Sequence, residues 1–306
     1  MPQNFYELVW IFIIYAFLGW CTEVAYAAVD TGKFVNRGFL NGPYCPIYGC
    51  GIVIVVSILT PIKDNLFILF FGSLLLTTVL EFLTGFLLEK IFHNKWWDYS
   101  DYPFNIKGYV CLKFSLYWGL ACTFVMDIIH PMIYKLISFL PFVAGVIILL
   151  VIMVIFTTDI VISVLTILKL NQRLKSMDDI AKRIHNISDE IGEKVYKNVS
   201  TVMDKSEEFQ TSREDFLAKI EQNVQTIKSN LETRKDVLSE EYTKKMNESE
   251  ELLKKYKELL SQKNFGIKRL MKAFPNMKSL KQNEVLQKYR EHMMKKSLGE
   301  KHDKGN

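Results

Sequence analysis

Leu66 to Leu88 reads LFILFFGSLLLTTVLEFLTGFLL, twenty-three residues whose single ionisable side chain is Glu81. A bilayer core about 30 Å thick takes about 20 apolar residues as helix. Backbone immersed in hydrocarbon must satisfy its own polar groups, which leaves a helix as the conformation for such a run. Four further apolar stretches flank it: Phe5–Val29, Pro46–Thr60, Tyr109–Ile129 and Leu136–Leu168. Pro46–Thr60 has fifteen residues, a helix of roughly 22 Å, so it either crosses a thinned bilayer or re-enters it. The expected fold is all-α, a polytopic membrane protein with about five transmembrane helices.

Charge divides the chain. Residues 1–169 carry nine Lys/Arg against ten Asp/Glu, residues 170–262 seventeen against nineteen, and residues 263–306 twelve against four. Three regions follow: a transmembrane domain over 1–169, a cytoplasmic coiled coil or helical hairpin over 170–262, and a basic amphipathic tail over 263–306. Ala25-Tyr26-Ala27 resembles a leader cleavage site, but no basic residue precedes the apolar run and Glu7 lies in it. Segment 1 therefore reads as a retained span.

Basic residues set the orientation. The loops around 30–45 and 89–108 hold Lys33, Arg37, Lys90, Lys95 and Lys107, and the last span is followed by Lys169, Arg173 and Lys175. Loops 61–65 and 130–135 hold one lysine each. Five crossings thus put the N-terminus outside a bacterial cytoplasmic (inner) membrane and the C-terminal region in the cytoplasm. Trp96, Trp97, Tyr99 and Tyr102 suit headgroup depth.

Ionisable groups at membrane depth mark candidate sites. Glu23 lies in segment 1. Glu81 and Glu89 lie in segment 3, on one helix face by their spacing. Asp127 closes segment 4, and Asp159 interrupts segment 5. A polar cavity lined by Glu23, Glu81 and Asp159 would bind a cation, protons or a polar substrate group; helix packing is the rival explanation. Two loop motifs supply further candidates. In the stretch Arg37 to Gly49, the residues Gly38, Gly42, Pro43, Cys45, Pro46 and Gly49 specify backbone shape, and Arg37 either anchors a lipid phosphate or neutralises a carboxylate. The second motif, Trp96-Trp97-Asp98-Tyr99-Ser100 with Asn105 and Lys107, gathers rings, an acid, a hydroxyl and bases at one membrane face. Cys45 is the best candidate among five cysteines for a reactive thiol. No His/Cys cluster suggests a metal, with His93 and His130 read as wet loop residues, and the residues name no cofactor.

Gly19-Trp20 with Glu23, the Arg37–Gly49 stretch, Glu81 through Gly85 to Glu89, Trp97 to Ser100, and Trp118-Gly119 together resemble a bacterial membrane family. That family is described as putative ABC-transporter type IV or ABC-transporter permease, and the resemblance covers about residues 10–135. It implies a permease-like subunit served by a separate ATPase. Consistently, the chain has no phosphate-binding loop of its own.

Apolar residues at Leu174, Met177, Ile180, Ile184, Ile187, Ile191, Val195 and Val199 step by three and four. The rhythm breaks near Asp204 and resumes at Phe209, Phe216, Ile220, Val224, Ile227 and Leu231, then Tyr242, Met246 and Leu253. This is one long rod or a folded pair of helices, and its stripe needs a partner, through which 170–262 would form a homo-oligomer or hold another protein. The tail, with Phe265, Ile267, Leu270, Met271 and Phe274 among Lys268, Arg269 and Lys272, suits anionic lipid. Nucleic acid is not expected as a partner, since no recognition fold accompanies the charge. Three functions are consistent with this reading: a transport-related subunit, a membrane-embedded enzyme acting on a lipid-borne substrate, or a scaffold acting through its coiled coil.

Overall fold

The structure, a computed structural model, describes residues 4–199, 240–262 and 264–302. They form two units, Met1–Asn171 with Asn264–Asn283, and Gln172–Lys263 with Glu284–Asn306. The protein is an all-α polytopic membrane protein. Its helices are α1 (Phe5–Thr31), α2 (Pro46–Leu59), α3 (Leu66–Phe92), α4 (Leu112–Phe124), α5 (His130–Phe139) and α6 (Phe142–Val199), then α7 (Glu240–Ser261), α8 (Phe265–Ala273) and α9 (Asn283–His302). Four stretches are long and apolar enough to cross a membrane: α1, α3, the continuous run Leu112–Phe139, and the first part of α6.

Local chemistry sets the helix ends. Asn4 caps α1 by accepting the Glu7 N–H, and Asn65 caps α3 by accepting from Phe67 and Ile68. Gly32 ends α1 in the left-handed conformation, at φ 65°. Ile11, Tyr15, Val55, Val56, Leu69 and Met126 pack at the centre of the bundle. Phe71, Leu75, Leu120, Ile147 and Leu150 face outward and are exposed. A bundle apolar on its outer face is what lipid as solvent requires.

The fourth and fifth spans differ from the sequence reading. Residues 130–135 are not a loop: α4 passes through a π turn, Val125–Ile129, into α5, and the chain reverses at Leu140-Pro141. Pro131 lacks an N–H, and the register shift of the π turn beside it accommodates the missing donor. Asp127 therefore lies twelve residues inside the helix end and is exposed. His130 is buried rather than wet, with Nδ1 at 3.4 Å from the Tyr15 hydroxyl.

Helix α2 starts part-way along α1. The Cys45 N–H donates to the Ala16 carbonyl at 2.9 Å, fifteen residues short of the α1 terminus, or roughly 22 Å of helix. Close approach depends on glycine here: a Cβ on Gly19 would strike the Tyr48 ring, and one on Gly49 the Phe12 carbonyl oxygen. Residues 36–45 thus fold back alongside α1 as non-helical backbone, and side chains satisfy it. Asp159 accepts the Asn41 and Gly42 N–H groups at 3.1 and 2.6 Å, and the Asn41 side chain at 2.8 Å. Asn36 accepts from the Trp20 indole and Gly38 N–H, and donates to the Asn41 carbonyl. Arg269 donates to the Gly38 and Phe39 carbonyls at 2.8 and 2.9 Å. Irregular backbone beside spanning helices persists only when so enclosed.

That last contact corrects the reading of 263–306 as a separate tail on lipid. In α8, Ile267, Leu270, Met271 and Ala273 are buried within the first unit. Strand β4 (Lys278–Ser279) pairs antiparallel with β1 (Asn94–Lys95), and Phe274 meets the Trp96 ring edge-on at 4.9 Å. A second short pair, β2 (Asn105–Ile106) with β3 (Val110–Cys111), shapes the 94–111 loop. Trp96 is 4 % exposed, so it is a packing residue and not part of a headgroup belt.

In the second unit, residues 172–191 of α6 and helix α7 run antiparallel. Arg173 donates to the Gln262 carbonyl and side chain, Arg183 pairs with Glu248 at 2.6 Å, and Glu190 pairs with Lys245. Leu174, Met177, Ile180, Ile184 and Ile191 are buried, as are Met246, Tyr256 and Leu260; Ile187 and Leu253 are half-buried. Within α9, Val285, Leu286 and Tyr289 are buried, and the Tyr289 hydroxyl accepts from Arg173 at 2.5 Å. The stripe from Phe209 to Leu231 lies outside the described residues.

Candidate functional site

The polar groups of the first unit gather in two halves. In the first, Glu23 of α1 accepts from the Tyr48 hydroxyl of α2 at 2.6 Å, and Arg37 Nε lies 3.8 Å from its other oxygen. The Arg37 guanidinium also lies over the Tyr26 ring at 5.3 Å. Both Glu23 and Arg37 side chains are 30 % exposed, so solvent screens this pair. Of the two roles expected for Arg37, the geometry matches neutralisation of a carboxylate.

In the second half, Glu81 of α3 is 7 % exposed and accepts from the Tyr99 hydroxyl at 3.3 Å. The Trp118 indole of α4 faces the same carboxyl as a weaker donor, yet Oε2 has no partner of good geometry. A buried carboxyl oxygen without a donor is costly, which makes Glu81 a candidate binding position. The two halves meet where the Tyr48 and Trp118 rings pack edge-on at 5.3 Å. The cluster is therefore Glu23, Arg37 and Tyr48 against Glu81, Tyr99 and Trp118. It holds two carboxyls and one guanidinium.

The remaining candidates have other surroundings. Glu89 sits apart and accepts from the Tyr109 hydroxyl. Asp159 holds the 36–45 loop. Trp97 donates its indole N–H to the Tyr109 carbonyl at 2.8 Å and packs against Gly85. Asp98 accepts from Lys95 at 2.9 Å, from the Ser100 hydroxyl at 2.5 Å and N–H at 3.2 Å, and from Lys278 at 2.8 Å. Burial alone would raise the Asp98 carboxyl, but the bonds from Lys278, Ser100 and Lys95 outweigh it and hold it well below the usual carboxylate range. Asn105 donates to the Ser100 and Tyr102 carbonyls and accepts the Gly108 N–H. Gly108 has φ 71°, and a Cβ there would strike Asp98, Ser100 and Lys95. Lys107 contributes its carbonyl to Lys95, while its side chain is exposed. The loop motif is thus largely a self-contained scaffold that presents Tyr99 to Glu81.

Gly38, Gly42 and Pro43 lie in the folded-back loop, Pro46 opens α2, and Gly49 seats it on α1. Cys45 is buried at the N-terminus of α2 with its thiol free. Among the described residues, no group of three or more His, Cys, Asp or Glu is placed to hold a metal. Sequence reasoning did not select Tyr48 or Trp118 as site residues, although both adjoin motifs it quoted; an aromatic hydroxyl or indole beside an apolar run carries no sign of which carboxyl it will meet. Arg269 and Lys278 escaped for another reason. A basic amphipathic helix looks the same in sequence whether lipid or protein covers its apolar face.

No solved structure matches the chain. The family profile described as Putative ABC-transporter type IV matches residues 10–164, just over half of the chain and including all six groups of the cluster, and the protein belongs to that family.

Proposed function

We propose that this chain is a permease-like subunit of a transport system and that the Glu23–Tyr48–Trp118–Glu81–Tyr99 cluster is its intramembrane site, taking a proton or a small cation. The carrying observation is the unpartnered Oε2 of buried Glu81 in a cluster with one more acid than base. An incoming positive charge would supply the missing partner. Support also comes from α2, a short helix that begins inside the bundle after non-helical backbone, the arrangement by which discontinuous helices build transporter sites. The subunit lies in the bacterial cytoplasmic membrane, N-terminus outside and C-terminal region cytoplasmic, as the basic loops favour. ATP use would fall to a separate chain, since this one lacks a phosphate-binding loop. The lipid-enzyme alternative draws less support, because Asp98, its best acid, is already held by donors on both oxygens.

The test is cation flux in liposomes carrying the full-length protein, under a pH gradient and then with sodium or ammonium as probe. The wild-type protein should pass one of these, and Glu81→Gln should reduce the flux at least tenfold with the fold intact. Equal flux in the two proteins, or none above empty liposomes, counts against this site.

A further inference from the structure

The two halves of the cluster hang on two loops that are built separately. Residues 36–45 are organised by Asn36 and Asp159, and residues 94–111 by Asp98, Asn105 and Gly108. Neither of these networks draws on the other loop. Between the loops lies an aromatic seam, Phe39 against Trp96 at 5.2 Å. Two segments bond to both loops: α6, through Asp159 to Asn41 and Gly42 and through Asn171 to the Asn94 side chain, and residues 264–280. Arg269 holds the carbonyls of Gly38 and Phe39 on one side. Nine residues later Lys278 pairs with Asp98 on the other, β4 pairs with β1, and the Leu280 N–H donates to the His93 carbonyl at 2.9 Å. Phe274 lies on Trp96 between the two attachments.

We propose that residues 264–280 are a releasable strap that keeps the Glu23 and Glu81 halves together, and that the cytoplasmic helices preceding and following it in the chain set whether it is seated. The physical reason is the asymmetry of the contacts. Each loop is bonded mainly within itself, so separation would occur along the seam, which the strap crosses beside α6. Its polar attachments include two bonds from Arg269, the Lys278–Asp98 pair, a two-residue strand and the Leu280 N–H bond to His93, beside the buried side chains of Ile267, Leu270 and Met277. The chain enters the strap from Gln172–Lys263 and leaves it into Glu284–Asn306, both belonging to the second unit. A rearrangement there, by a partner or a second copy, reaches the strap along the covalent chain at both ends. This gives the transport reading a means of regulation, but the mechanics do not depend on what is transported.

Cys45, buried next to Tyr48, serves as a native reporter of access to the cluster. In full-length protein with Cys21, Cys50, Cys111 and Cys122 changed to Ser, the rate at which a maleimide labels Cys45 in lipid vesicles is measured. Arg269→Ala with Lys278→Glu should raise that rate at least tenfold. Adding Asn94→Cys and Ser279→Cys, which are directly paired across β1 and β4, permits a disulfide. Oxidation should return the rate, read at the Cys45 peptide by mass spectrometry, to the slow value, and reduction followed by removal of the reductant should restore the fast one. A protein that had merely unfolded would stay fast when oxidised, which overturns the proposal. So does an unchanged Cys45 rate in a variant whose strap is cut by trypsin at Lys272. No transport assay enters, so failure of the flux experiment leaves this result readable.

Discussion

At Asp159, one carboxyl holds two consecutive backbone N–H groups and the Asn41 amide, and Ser163 lies at 3.4 Å. Without it, the part-buried Asn41 and Gly42 N–H groups lose their acceptor. A bond to a carboxylate contributes about 1.5–3 kcal/mol, and a stranded buried donor costs about 1–3 kcal/mol. Asp159→Ala should therefore destabilise the first unit by about 3 kcal/mol, read as a fall in thermal midpoint in detergent. Asp159→Asn keeps one acceptor oxygen and should recover part of the loss. Equal midpoints in all three proteins would remove Asp159 from its role in holding the loop. The residue was legible as an anomaly in an apolar run, and its task was not. An intramembrane acid looks alike in sequence whether it binds a substrate or the backbone of a loop 117 positions away. Glu23 and Glu81 illustrate the converse: they were chosen for depth alone, and the structure brings them into one cluster through Tyr48 and Trp118.

Among the elements, the spans were the most legible part because hydrocarbon imposes a length and an internal bonding rule that the sequence must obey. One boundary failed at residues 130–135, expected as a loop, where the helix runs on through the π turn and Pro131; the bounds of α2 agree with the apolar stretch Pro46–Thr60. The strap was read as an amphipathic helix, correctly in its periodicity, but periodicity does not say what covers the apolar face. Its docking has a pH signature. Asp98 is depressed below its unfolded value near about 3.9, so its contribution is complete above that value and is lost as pH falls through the lower folded value. Lys278 is raised by its bond to Asp98, so its share persists below about pH 10.4 and is lost only as pH climbs past the raised value. Lys278 is about half exposed, which weakens its part through solvent screening. Backbone hydrogen exchange in 265–279, corrected for intrinsic rate, should be slow and flat from pH 5 to 9. It should accelerate below about pH 4, earlier in Lys278→Ala. Exchange that tracks the intrinsic rate down to pH 2, about two units below the carboxylate reference, would mean the Asp98 pair does not hold the strap.

On the scale of the whole molecule, the sequence distinguished lipid-facing from water-facing regions but not which helix meets which. A stripe of steps three and four states that a face is buried and leaves its partner open, hence the choice between a rod, an oligomer and a hairpin. Among the described residues, the contacts in the second unit run antiparallel. As the position in α6 rises from 173 through 183 to 190, its partner falls from 262 through 248 to 245. An antiparallel return of the chain has that trend, and it buries Met177, Ile184, Met246 and Tyr256. A parallel coil between subunits would instead match like with like. Cross-linking separates the two arrangements. In a cysteine-free background, Arg183→Cys with Glu248→Cys should form a bond within one chain, at a rate independent of protein dilution, giving a product of monomer mass with altered gel mobility. Arg183→Cys alone should give little dimer. Dimer as the main product of the double variant, falling on dilution, would assign this stripe to an interface between subunits. The strap would then be tied to assembly rather than to folding within the chain.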